Sequence, residues 1–242
     1  MRLPALLCLV AVALPPAPED GERLIHEMHD RYAGKWYRTL TFVQKTTLEN
    51  GTVETWYEAA RIPGFLRIDI APIDSSNAIV FRNDSLYVIR GAQVRASRPM
   101  VHPLMVLAFD VYADSAETTI RKLKELGFDL SKLREDTWQG RPVYVVGAAG
   151  GDSTANQFWV DKANLLFVRM IQTGPNGAVV ETQFNRYQRL GDGWIAPEVL
   201  FFRNGKVITR EEYGDIRADV VLPPELWEAA EYAPPAWVSR HP

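Results

Sequence analysis

The sequence predicts a mainly β fold with a few helices, in which one antiparallel sheet coils into a barrel or half-barrel. Three observations carry that reading. Apolar and polar residues alternate through run after run, as in "TLTFVQK" and "FLRIDI", the pattern of half-buried strands. Turn residues such as Asn50-Gly51, Lys162-Ala163-Asn164 and Asn204-Gly205 separate the runs at hairpin spacing. Helical periodicity is confined to the start of the chain and to one central stretch.

The chain has 242 residues and a mass of 27.4 kDa, enough to bury a sizeable core. Its formal net charge of −3, with 24% charged residues, leaves no basic surface for phosphates, so no nucleic-acid partner is expected. At the N-terminus, "MRLPALLCLVAVALPPAPED" sets Arg2 before an apolar run from Leu3 to Leu14, and small residues follow. That is the grammar of a secretory signal peptide, and the run is too short to span a bilayer. Residues 1–17 are therefore read as a leader cleaved near Ala13 or Ala17, and 18–242 as one domain exported to the periplasm. Leu7 precedes Cys8 where a lipid-attachment signal needs a small residue. The mature chain is then free of cysteine, which removes disulfides, a thiolate nucleophile and cysteine metal sites.

The elements follow in order. "EDGERLIHEMHDRYAGKW" spaces Leu24, Ile25, Met28 and Tyr32 at helical intervals and ends at Gly34. The period then changes to two. One strand carries Leu40 and Phe42, a second carries Tyr57, and a third carries Leu66, Ile68 and Ile70. "NAIVFRNDSLYVIRGAQV" gives another hairpin, turning at Asn83-Asp84. Next comes "RPMVHPLMVLAFDVYA", residues 98–113, a strongly apolar helix-like insert. "SAETTIRKLKELG" continues it as a helix capped by Ser115 and stopped by Gly127. Strands resume at Thr137 and run to "KVITREEYGDI", about ten in all. The Pro- and Trp-rich tail beyond them lies along the barrel, because proline cannot donate to a ladder.

No catalytic or metal constellation emerges. "HEMH" at 26–29 sets its histidines three apart, whereas zinc-protease spacing needs four with a glutamate beside the first. "GAAGGDS" at 147–153 lacks the Lys-Ser/Thr ending of a phosphate loop. No Gly-x-Ser-x-Gly elbow occurs. No cofactor is implied.

The architecture itself is more informative. A coiled sheet has a concave face, and Leu40, Phe42, Tyr57, Leu66, Ile68 and Ile70 can line it. Leu166, Val168 and Met170 can contribute from the far half, each strand's phase being open by one residue. About ten strands leave an opening that must be plugged. The insert supplies Met100, Leu104, Met105, Leu107 and Phe109, either as a cover over a cavity or simply as core. Methionine suits an adaptable binding surface.

In order and spacing the chain resembles the periplasmic lipoprotein-carrier family (LolA/LolB-like). The residues that carry the likeness are "TFVQK", "AARIPGFLRIDIAP", "NAIVFRNDSLYVI", "HPLMVLAFD", "GRPVYVV", "FWVDKANLLFVRM" and "NRYQRL", spread over most of residues 19–225. The resemblance implies an open antiparallel half-barrel of about ten to eleven strands, an N-terminal helix, and lid helices at about 98–127 over an apolar cavity that receives acyl chains. It implies a non-enzymatic, monomeric periplasmic binding protein for lipid or lipoprotein acyl chains, with envelope membrane proteins as further partners. It also implies that Arg61 latches the lid. The longer second lid helix and the tail depart from the family pattern, which leaves room for an envelope sensor on the same fold. A secreted hydrolase is a third alternative.

Overall fold

The computed structural model describes residues 17–174 and 176–238. The leader expected at 1–17, Ala17 apart, lies outside them, as does His241.

Helix α1 (Gly21–Tyr32) is capped by the Asp20 side chain, which accepts from Arg23 N at 2.8 Å. Its buried face carries Leu24, Ile25, Met28 and Tyr32. Six strands follow in sequential hairpins: β1 (Thr39–Leu48), β2 (Val53–Arg61), β3 (Phe65–Ile70), β4 (Asn77–Arg82), β5 (Ser85–Arg90) and β6 (Gln93–Pro99). Two helices intervene, α2 (Pro103–Ala108) and α3 (Ala116–Glu125), with a 3-10 turn at Asp110–Tyr112 between them. Ser115 caps α3 by accepting from Thr118 N at 3.2 Å. The chain then returns to strands: β7 (Leu133–Trp138), β8 (Arg141–Val146), β9 (Gln157–Asp161), β10 (Leu166–Thr173) and β11 (Val179–Asn185). A small ribbon of β12 (Gln188–Leu190) and β13 (Gly193–Ile195) precedes β14 (Glu198–Arg203) and the long β15 (Lys206–Ala218).

Thirteen strands form one open sheet in the order β6-β5-β4-β3-β2-β1-β15-β14-β11-β10-β9-β8-β7. Every pairing in it is antiparallel. The edges β6 and β7 do not meet, so the fold is an open half-barrel with helices. β15 is the seam, pairing with β1 on one side and β14 on the other. The sheet exceeds the ten to eleven strands expected. β6 is exposed along its whole length, so it has no apolar face to announce it in the sequence. The helical insert is also shorter than 98–113, because Arg98 and Pro99 still belong to β6.

The inner face divides in two. Against β8–β11, α1, α3 and the 3-10 turn fill the space as continuous core with Phe158, Val160, Leu166 and Met170. Tyr112 anchors this half: its hydroxyl accepts from Phe167 N at 2.9 Å, and its ring stacks on Trp36 at 4.0 Å. Against β1–β4 the covering element is α2, and the packing is incomplete. The outer face of β2–β5 is covered by the tail. Leu226 and Trp227 sit on Ala59, and Ala229 sits on Ala78, Val80 and Ile89. Buried Arg67 pairs with Asp69 at 2.8 Å and donates to the carbonyls of Leu226 and Ala233 at 3.0 and 2.7 Å. No helix among the described residues is long and apolar enough to cross a membrane.

Candidate functional site

Strand alternation sets the site. In β2, Trp56, Glu58 and Ala60 face inward, followed by Ile62. Register aligns them with their neighbours: Phe42 opposes Glu58, Glu58 opposes Ile68, and Ile68 opposes Ile79. A parallel row runs from Ala60 through Leu66 to Phe81. On the other side of β1, Tyr213 and Glu211 of β15 join the wall, with Phe184, Val199 and Phe201 beyond them. Between this wall and α2 lies a cavity of about 260 Å³.

The α2 lid is two-faced. Leu104, Met105 and Phe109 line the cavity, and Met105 packs against Ile68 and Phe81. Leu107, Val111 and Tyr112 are fully buried in the main core. Pro103 opens the helix, where its missing N–H costs nothing. Two polar contacts fasten the lid to turns of the sheet. Asp110, only 4% exposed, accepts from Gly64 N at 3.0 Å in the β2–β3 turn. Gly64 has φ +87, a conformation open to glycine. Lys122 of α3, 7% exposed, reaches Asp84 of the β4–β5 turn at 2.7 Å.

The cavity wall is apolar apart from a few groups. Tyr213 donates to Glu211 at 3.0 Å, and its ring lies 4.3 Å from that of Phe42. Burial pushes the Glu211 carboxyl up to about 7. Burial, then the neighbouring Glu211 charge, pushes Glu58 well above the usual carboxylate range. Asp110 is raised to about 7 by burial, although Gly64 N–H and Lys122 pull it back. His102, edge-on to Phe81 at 4.8 Å, is lowered to about 4 by burial, so it stays neutral. Among the described residues, no Lys or Arg lines this cavity. No metal-holding group of His, Cys, Asp and Glu occurs among the described residues.

Of the residues singled out in the sequence, the structure brings together Phe42, Leu66, Ile68, Leu104, Met105 and Phe109 at the cavity. Ile70 and Met100 pack beside it, against the Ile68–Phe81–Met105 cluster. Leu40, Leu107, Leu166 and Met170 lie in the filled half of the core. Tyr57 and Val168 point to the outer face, toward Trp237 and toward Val143, Val145 and Trp159. Arg61 is placed away from the lid. Its guanidinium lies over the Phe65 ring at 3.8 Å and Trp227 at 5.5 Å, because alternation along β2 turns Arg61 outward with Ala59. Sequence reasoning missed Trp56, Glu58 and Ala60. Trp56 and Tyr57 are adjacent aromatics, and reading Tyr57 as inward put the strand one residue out of phase. Ile79 and Phe81, alternating in "NAIVFR", could have been found.

No protein-family model matches the chain, and no curated protein matches it. Solved structures do. A putative outer membrane lipoprotein-sorting protein domain from Vibrio parahaemolyticus is 14% identical with a TM-score of 0.58, over 86% of this chain and 95% of that one. A DUF1329 family protein from Desulfovibrio piger is 16% identical with a TM-score of 0.55, over 86% and 95%. The fold is LolA/LolB-like. A LolA superfamily protein from Nitrosomonas europaea is similar in the same way, at 13% identity and a TM-score of 0.52, over 84% and 95%. The LolA-like sheet and its helices thus extend over most of the chain, and the cavity lies where the sheet and α2 part.

Proposed function

We propose that this protein is a non-enzymatic, carrier-type binding protein of the bacterial envelope that holds an acyl chain of a lipid or lipidated partner beneath the α2 lid. The observation that carries the reading is the cavity: Phe42, Leu66 and Ile68 on one wall face Leu104, Met105 and Phe109 on the other. At about 260 Å³ it lies just below the usual range of ligand pockets, roughly 300–1,000 Å³, so it suits one chain rather than several. An apolar ligand there removes apolar surface from water at about 25 cal/mol per Å². The lipoprotein-sorting description of the Vibrio structure agrees with this reading. The expected leader at 1–17 supplies the route to the periplasm, where the protein acts as a monomer.

Native mass spectrometry of the mature protein, purified from an envelope fraction, should reveal a bound lipid mass. Titration of ligand-free protein with a fluorescent fatty acid should saturate at one site. Protein that is ligand-free from every source, and that ignores added fatty acids and lipopeptides, overturns the proposal.

A further inference from the structure

Glu58 stands out on the cavity wall. It is 5% exposed, it faces the cavity, and its carboxyl makes no hydrogen bond among the described residues. A buried carboxyl without a partner costs stability unless something else satisfies it. Every other buried acid of the sheet has a partner: Asp69 has Arg67, Asp161 accepts from Asn164 N, and Glu198 has Arg186 and Arg210. Glu211 and Tyr213 add a second carboxyl and a hydroxyl to the same wall, and among the described residues no Lys or Arg lines the cavity to neutralise them.

We propose that the cavity is selective for an amphiphile whose head is a protonated amine, with the alkyl chain against Phe42, Ile68 and Met105 and the ammonium bound to Glu58. This rests on the acyl-chain reading of the same cavity and narrows it to a ligand class. An ammonium supplies up to three N–H donors and the positive charge the wall lacks. It satisfies Glu58 directly and offsets the burial and the Glu211 charge that oppose ionisation of Glu58. A fatty acid, by contrast, brings another carboxyl to a wall that already holds Glu58, Asp110 and Glu211, where burial opposes ionisation.

Matched single-chain ligands test this on the full mature protein at neutral pH. Dodecylamine, dodecanol and dodecanoic acid would each displace a fluorescent fatty acid, with affinities confirmed by calorimetry. A charge-assisted hydrogen bond in a buried site corresponds to roughly ten-fold or more in affinity. Dodecylamine should therefore bind at least about ten-fold tighter than dodecanol, and dodecanoic acid should bind weakest. Glu58→Gln and Glu211→Gln should each shrink the amine-to-alcohol ratio, Glu58→Gln the more. Dodecanol binding as tightly as dodecylamine overturns the amine proposal and leaves the acyl-chain reading standing. So does a ratio unchanged in both variants. None of the three ligands binding overturns both.

Discussion

The Asp110 Oδ1 atom accepts the Gly64 backbone N–H at 3.0 Å, and this contact joins the end of the lid to the β2–β3 turn. Asp110 belongs to the 3-10 turn after α2, while Gly64 closes the hairpin whose strands carry Glu58 and Ile68. The bond therefore ties the lid to a turn whose neighbour Phe65, like Asp110, lines the cavity. Asp110→Ala removes the acceptor, and release of a fluorescent fatty acid should quicken roughly ten-fold. Asp110→Asn keeps a side-chain oxygen and should stay near the parent. Hydrogen exchange at Gly64 should rise in the alanine variant alone; equal release rates in all three proteins would dissociate the contact from gating.

Stability should rise on mild acidification. Asp110 and Glu211 are both held at about 7 in the fold, against 3.8 and 4.5 for the free groups. The folded state therefore takes up protons that the unfolded chain does not, and stability grows as pH falls through 7. His102 has the opposite sign: it is held at about 4 against 6.5, so the unfolded chain binds its proton first below pH 6.5. From about pH 8 to 6.5 the carboxyls act almost alone and add on the order of 1 kcal/mol. That is a few degrees in a domain of this size. Thermal melts should climb across this range and go on climbing below 6.5, where two carboxyls outweigh one imidazole. Asp110→Asn should flatten the climb.

Much of the architecture was legible because strands half-buried in an antiparallel sheet must alternate, and "FLRIDI" does so plainly. The apolar insert was legible only as a cover or as core, and it is both: Leu104, Met105 and Phe109 line the cavity, while Leu107 is core. The site's polar half was not. Gln44 and Glu58 face inward where alternation calls for apolar side chains, and sequence reading discounts such positions or shifts the strand's phase to avoid them. Arg61 lies one residue from inward-facing Ala60 and two from Pro63, so its face depends on a register that only the assembled hairpin fixes. The covering of β2–β5 by the tail depends on Arg67 reaching carbonyls more than 150 residues away, which no local pattern encodes.

That outer covering separates two arginines. Arg67 is almost fully buried against Asp69, two tail carbonyls and the Tyr232 ring. Arg67→Met leaves Asp69 without its cation and should cost about 3–5 kcal/mol. Proteolysis should then cut first between residues 222 and 238. Arg61→Leu loses only stacking on Phe65 and Trp227, worth about 0.5–1 kcal/mol. It should leave lipid release within about two-fold of the parent. A ten-fold change in release would place Arg61 at the lid after all.

Met105 joins lid and wall most directly, packing with Ile68 and Phe81 while bordering the open cavity. Two substitutions there should part company. Met105→Ala removes side-chain volume next to space that already exists, so little new void forms in the packed core. Its cost should sit at or below the low end of the usual Met-to-Ala range, about 2 kcal/mol. The enlarged cavity should accept bulkier chains. Met105→Asp keeps less apolar contact and adds a carboxyl to a wall that holds Glu58, Asp110 and Glu211. Burial opposes its ionisation, and among the described residues no Lys or Arg lines the cavity to offset it. It should lower the melting temperature more than Met105→Ala does and abolish uptake of a fluorescent fatty acid. Acidification to about pH 6 should restore part of both, because the new carboxyl is then neutral when its pKa is raised as its neighbours' are. Aspartate and alanine variants with the same melting temperature and uptake would mean that Met105 faces water, and the lid would not close this cavity.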